Sequence, residues 1–201
     1  MNTQHGRSMV EMLGVLAIVG VLSVGAIAGY SKAMTKYRLD KTVSEYNLLL
    51  TTAIEKLASD SSVFATDGSG ALWYTAIFAK AGWLPDSFKL RSDSDYMAHD
   101  GLGNNVWVFK MASKRIGIGM ELNKNMQLCH SLFNLAKEWK SDLYNTSTES
   151  DSSSIYAVFY GDKACSSNVT CLANITLNNI DNACSPCENQ SCRLYFVLNK
   201  I

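Results

Sequence analysis

Three groups of residues in this chain carry side chains with chemistry to offer. The first is "CSPCENQSC", residues 184 to 192, where a Cys-x-x-Cys pair is followed by another cysteine. Thiolates at that spacing bind zinc or exchange disulfides, but zinc needs a second pair of ligands and a redox motif belongs at a strand-to-helix turn. Neither accompanies it. The second is Cys129 beside His130, a nucleophile next to a base. Both fall in a helical pattern, where adjacent side chains point about 100° apart, so that imidazole does not serve that sulfur. The third is Glu11, a carboxylate near the start of the apolar run "GRSMVEMLGVLAIVGVLSVGAIAGY", residues 6 to 30.

Nothing resembles a phosphate-cradling loop or a pair of catalytic carboxylates, so the chain reads as a non-enzyme with no cofactor and no metal. Lys+Arg and Asp+Glu both number 18 in 201 residues, and no basic stripe appears. Nucleic-acid affinity comes largely from phosphate neutralisation, so no nucleic-acid contact is expected. All six cysteines (Cys129, Cys165, Cys171, Cys184, Cys187 and Cys192) lie beyond residue 128. An even set in one region, behind a membrane or export segment, predicts disulfides made in an oxidising compartment; free thiols or a metal site are the rivals. The aromatics Trp73, Tyr74, Trp83 and Trp107 are expected in the core rather than at a ligand. The Asn-x-Ser/Thr sites at Asn145, Asn168, Asn174 and Asn189 reflect composition.

The element that must position Glu11 is a helix. Met12 to Tyr30 holds no charge, and at about 1.5 Å per residue it spans roughly 28 Å, close to the ~30 Å hydrocarbon core of a bilayer. No small-x-small cleavage site with a polar break follows, so the run is expected to stay on the chain. Gly25 and Gly29 form a GxxxG pair, which either brings helices together or is ordinary membrane-helix glycine. Beyond Tyr30 the pattern turns amphipathic: Val43, Tyr46, Leu49, Leu50, Ala53, Ile54 and Leu57 recur at spacings of three and four. One helix from Ser8 to Leu57 follows, on the order of 75 Å long. A small domain cannot bury that, so half must be covered by membrane or other subunits.

An acid at the centre of a membrane helix costs roughly 2.5 to 3.5 kcal/mol, and less near its end. Glu11 either sits at the interface and tunes insertion depth, or it meets an opposite charge. Cutting the chain between Gly6 and Arg7 would create an α-amino group four residues away. An acid in the first turn also suits the helix dipole.

Glycine at a cut, glutamate five residues on, and an unbroken apolar helix in that register resemble a type IV prepilin over residues 1 to 58. The resemblance implies cleavage after Gly6 by the prepilin peptidase, usually with N-methylation, and a docking role for Glu11 against a neighbour's terminus. It implies a bacterial inner-membrane precursor with its head in the periplasm, an inner-membrane assembly platform, lipid contact before assembly, and then a surface filament of self-associated subunits. Three departures stand out. Arg7 replaces the usual Phe or Met after the cut, and the leader "MNTQHG" lacks Lys and Arg. Ala28 and Gly29 stand where many pilins have proline.

The remaining residues predict a small antiparallel sheet with helices against it. "ALWYTAIFAKAGWLPDSF" reads as a helix ending at about Gly82, "RSDSDYMAHDGLGNN" as a loop, and "NVWVFKM" with "RIGIGMEL" as a hairpin. "NKNMQLCHSLFNLAKEWKSDL" reads as an amphipathic helix with Leu128, Cys129, Leu132, Phe133, Ala136 and Trp139 on one face. "NTSTESDSSS" reads as a polar link, and "IYAVFYG" and "RLYFVLN" as strands. The segment from Gly161 to Cys192 is too polar to order itself by burial, so crosslinks are expected to constrain it. The expected pairs are Cys129–Cys192, which the family's habit of stapling this region supports, with Cys165–Cys171 and Cys184–Cys187 as local loops. The cysteine-bearing head is more similar to type IVb than to type IVa pilins, though the short leader points the other way.

The expected fold class is therefore α+β, a pilin fold with the long helix on a small antiparallel sheet and a disulfide-bearing C-terminal region. The divisions are a leader at 1–6, an apolar helix at 7–30, its amphipathic half at 31–58, and a head at 59–201. The expected function is a structural filament subunit for adhesion, motility or DNA uptake. Two alternatives are a pseudopilin of a type II secretion system and an unprocessed single-pass membrane protein with a periplasmic binding domain.

Overall fold

The computed structural model describes residues 9–59, 72–111, 115–150 and 154–199. The chain divides into two compact units, Met1–Asp40 and Lys41–Ile201. Among its described residues the first unit contains only the opening part of helix α1 (Met9–Ser59). Ala28 and Gly29 stay helical.

In the second unit, α1 turns the expected stripe inward: Tyr46, Leu49, Leu50 and Ala53 are fully buried, and Val43 and Ile54 are half-buried. Leu57, the last member of that stripe, has its side chain outside the described residues. Among the described residues the sheet has eight strands: β1 (Leu72–Trp73), β2 (Lys89–Leu90), β3 (Ala98–His99), β4 (Asn105–Lys110), β5 (Ile116–Leu122), β6 (Leu143–Ser150), β7 (Ile155–Tyr160) and β8 (Cys192–Leu198). Their order is β2-β3-β4-β5-β8-β6-β7, with β1 paired to β4, and every pairing is antiparallel. The last strand thus lies between two hairpins. One face of the sheet buries Val106, Val108, Ile118, Met120, Leu194 and Phe196, which form the core with α1 and the apolar side of α3 (Met126–Glu138). α3 starts where the Asn125 side chain accepts the Leu128 N–H at 2.9 Å, and it is tied to α1 by the Trp139 indole, which donates to Asn47 Oδ1 at 2.7 Å. The α+β class and the antiparallel sheet match the expectation.

Four local readings need correction. The link "NTSTES" is strand β6, hydrogen-bonded on both sides by β8 and β7. Its inward residues are Leu143, Thr146 and Thr148, all fully buried. Threonine suits a pleated surface as valine does, but its hydroxyl hides the alternation from an apolar count. The expected helix from residue 71 to about Gly82 is only α2 (Thr75–Lys80), because Leu72 and Trp73 pair with Lys110 and Phe109 instead. The Gly82 end is right: Gly82 adopts φ +69°, a left-handed conformation that stops a helix. The loop 91–105 contains β3 and a buried Asp100. Between Gly161 and Cys192 lie a 3-10 turn (Leu172–Asn174), α4 (Leu177–Cys184) and α5 (Pro186–Asn189), and Leu172, Ile175, Ile180 and Ala183 are all buried. Burial therefore helps order a segment that composition alone marked as unable to order itself this way.

"IGIG" in β5 has a steric reason. Gly119 and Gly117 lie opposite Trp107 and Phe109, and a Cβ on either would collide with the facing ring. Overpacking of this kind costs about 1–3 kcal/mol. Gly119→Ala should therefore lower the urea midpoint with little change in slope. A variant as stable as the parent would mean that the indole moves aside without cost.

Candidate functional site

The described part of the first unit is a helix with no inner face. Met9, Leu13, Leu16, Val21, Val24 and Ile27 point in different directions around the axis and all are exposed. A Cβ on Gly14, Gly20, Gly25 or Gly29 would meet nothing, so these positions are shallow notches open to a neighbour. Ser23 and Thr35 donate their hydroxyls to Val19 and Ser31 carbonyls one turn back, which keeps polar groups satisfied within the helix. Among the described residues this is the one helix long and apolar enough to cross a membrane. A helix apolar all round belongs in lipid or inside a bundle. Glu11 lies in its first turn, at the end where the helix dipole favours an acid. Gly6 and Arg7 lie outside the described residues.

The cysteines of the head are all oxidised. Cys165–Cys171 pairs as expected, with Cα atoms 5.4 Å apart. The other two expected pairs are replaced. Cys129 bonds Cys184 across 55 residues, and Cys187 bonds Cys192. Helix geometry explains the exchange. Cys184 continues the buried side of α4 set by Ile180 and Ala183, and that side packs on α3, where Cys129 lies. Cys187 sits in the next short helix, close to the start of β8. The periodicity of "LNNIDNAC" carried the signal: Cys184 is one turn from Ile180. Cys184 and Cys187 are therefore committed to different partners, and neither sulfur is a free thiolate for zinc or exchange chemistry. Likewise Cys129 is no nucleophile, and His130 reaches Asp181 on α4, Nε2 to Oδ1 at 3.2 Å. Among the described residues no group of three or more His, Cys, Asp and Glu is arranged to hold a metal.

A buried carboxylate that sequence reasoning missed ties α1 to the β3–β4 turn. Asp100 accepts from the backbone N–H of Leu102 and Asn104 at 2.9 and 2.8 Å, from Asn104 Nδ2 at 2.9 Å, and from the Tyr46 hydroxyl at 3.0 Å. Burial, then the Asp100 charge, holds the Tyr46 phenol well above its usual range, so it stays a donor. Only "DGLGN", with Gly103 at φ +84°, hinted at a tight turn here.

The other face of the sheet was also missed. Cross-strand register lines up His99, Asn105, Glu121, Arg193 and Glu149 in one row, and Trp107, Gly119, Tyr195 and Ser147 in the next. Trp107, Tyr195, Phe109, Trp73 and Tyr96 form a chain of rings with centroids 5.2 to 6.1 Å apart. Tyr74 and Trp107 are buried, as expected of the core; Trp83 is half-buried, and Trp73 is 45% exposed. No family model, no curated protein and no solved structure matches this chain.

Two outcomes check this geometry. Non-reducing peptide mapping should recover the 129–184, 165–171 and 187–192 links, and replacing Cys129 and Cys184 by serine should cost about 2–5 kcal/mol. A recovered 184–187 link would contradict the packing of α4 on α3. Tyr46→Phe should cost about 1–3 kcal/mol by removing a donor from a buried charged acceptor, measured by denaturant unfolding.

Proposed function

We propose that this chain is a structural subunit of a type IV pilus-like surface filament, cut after Gly6 and polymerised through its N-terminal helix. What carries the reading is the exposed apolar surface of α1 between Met9 and Tyr30, with an acid in its first turn. Such a surface is stable in a bilayer before assembly and among like helices afterwards. The amino group left by cleavage would stand four residues from Glu11 and could neutralise it at low dielectric in a neighbouring helix. Arg7 adds a second positive charge at the same end. A head crosslinked by three disulfides suits a part that works outside the cytoplasm, where thiols are oxidised. The partners are further copies of the chain, the prepilin peptidase and a membrane assembly platform.

Two measurements test this. Intact mass of the exported chain should lack residues 1–6; a chain that retains Met1 is an unprocessed single-pass membrane protein. Glu11→Ala should insert and be cleaved nearly as the parent. Its filament yield should fall about tenfold or more, since truncating one member of a desolvated charge pair costs roughly 2–5 kcal/mol. Normal assembly of that variant would remove Glu11 from the docking role.

A further inference from the structure

Just past its apolar run, α1 carries a short cationic segment that filament packing leaves without a role. Met12 to Tyr30 holds no charge; Lys32, Lys36 and Arg38 then follow, and Asp40 is the first acid after them. All three cations are exposed, and among the described residues none of them makes an ion pair. Lys41, by contrast, is turned to Glu45, Nζ to Oε1 at 3.9 Å. At about 1.5 Å per residue, the Cα atoms of the three stand roughly 3, 9 and 12 Å beyond Tyr30 along the axis. Helical side chains lean toward the N-terminus of their helix, which here is toward the apolar run. Lys36 and Arg38 therefore lean back toward the level of Lys32. Tyr30 and Tyr37 are 67% and 63% exposed, and at seven residues' spacing they share one side of the helix, about 20° apart around it. Tyrosines at the end of an apolar span are characteristic of a membrane–water interface.

We propose that Lys32, Lys36 and Arg38 bind the phosphates of anionic phospholipids and so fix the height of the helix in the bilayer before assembly. This rests on the membrane-spanning reading of α1 and adds the headgroup charge and the residues that meet it. The arrangement around the axis selects the occupant. Lys32 and Lys36 lie about 40° apart, and Arg38 lies about 120° from Lys32 in the opposite sense. No single face holds all three, so an acidic protein or a nucleic acid laid along one side would miss part of the set. A lipid leaflet surrounds the helix and meets every one of them. The level agrees as well. Headgroups begin where the hydrocarbon ends and extend the bilayer from ~30 Å to about 40–45 Å, which places Lys32 within them and the leaning Lys36 and Arg38 at their outer edge. Each cation near an anionic leaflet strengthens attachment about fivefold. Export of the head would carry these cations across against the bias that keeps Lys and Arg cytoplasmic, and phosphates on the far side offset that.

The full chain is reconstituted in phosphatidylcholine vesicles with a trace of spin-labelled phosphatidylglycerol or of spin-labelled phosphatidylcholine. Electron paramagnetic resonance then reads the fraction of each label that the protein immobilises. At low salt the anionic label should be favoured about fivefold, and the preference should vanish at about 1 M salt, where the screening length falls to roughly 3 Å. Lys32→Gln, Lys36→Gln and Arg38→Gln together should remove it; Lys32→Arg with Lys36→Arg should keep it, and Lys163→Gln should change nothing. Glutamine and arginine suit a helix about as lysine does, and native disulfide mapping of each variant separates lost preference from misfolding. Equal immobilisation of both labels at low salt, or an unchanged preference in the triple variant, overturns the proposal. Loss of the preference when inorganic phosphate replaces chloride at equal ionic strength does so too, since it marks a free-anion site. Sedimentation in which the parent self-associates and the triple variant does not would assign the cations to contacts between copies, with the same result. The measurement needs neither leader cleavage nor Glu11. An inserted chain without the preference leaves the filament reading standing, whereas a chain that does not insert overturns both.

Discussion

The head depends on where its last strand goes. β8 enters between β5 and β6, and its backbone bonds join the β4–β5 hairpin to the β6–β7 hairpin. A two-stranded hairpin alone is marginal in water, and a sheet with a covered face is not. Until β8 is seated there are two separate hairpins and no continuous face for α1 and α3 to cover. Leu194 and Phe196 are buried through that insertion. Cys192, the first residue of β8, is bonded to Cys187, so the strand that closes the sheet is anchored as it begins.

Around that strand, covalent and non-covalent ties share the work. The Cys129–Cys184 bond joins α3 to α4 across the largest sequence separation of the three pairs, where chain entropy makes a crosslink most effective. Cys165–Cys171 acts at the sheet edge, where the Tyr160 N–H donates to the Thr170 carbonyl and Cys171 bridges to Tyr160. Tyr46 and Asp100 do by hydrogen bonding what the disulfides do covalently, holding α1 to the turn that precedes β4. The helix in this unit is thus fixed by a buried stripe on one side and by two polar clamps, Tyr46–Asp100 and Asn47–Trp139. The apolar side chains of the first unit's helix are exposed among the described residues, and water is the one environment in which that surface is costly.

Several elements were readable because their residues advertise the period of the structure they form. The α1 stripe and α3 repeat apolar residues at three and four, β5 repeats them at two, and β4 and β8 are short apolar runs rich in aromatic and branched residues. β6 was not readable, because "LYNTSTES" marks its inward positions with threonine hydroxyls rather than hydrocarbon. Two of the three disulfide pairs were misread for a related reason: nearness in sequence made Cys184 and Cys187 look like partners. Adjacent short helices turn them toward different neighbours. The aromatic outer face escaped because Trp73, Tyr96, Phe109 and Tyr195 come from separate stretches, and only cross-strand register brings them together.

Sequence alone determined that the chain opens with an apolar helix carrying one acid near its start, and that a cysteine-bearing α+β domain follows. Those properties reside in local composition and periodicity, which need no partner strand to be read. Tertiary structure alone decided which cysteine meets which, that a run of threonine and serine becomes an interior strand, and that a row of rings gathers on one sheet face. Each of these depends on residues far apart in the chain meeting through packing and backbone pairing, and spacing along the chain does not encode such meetings.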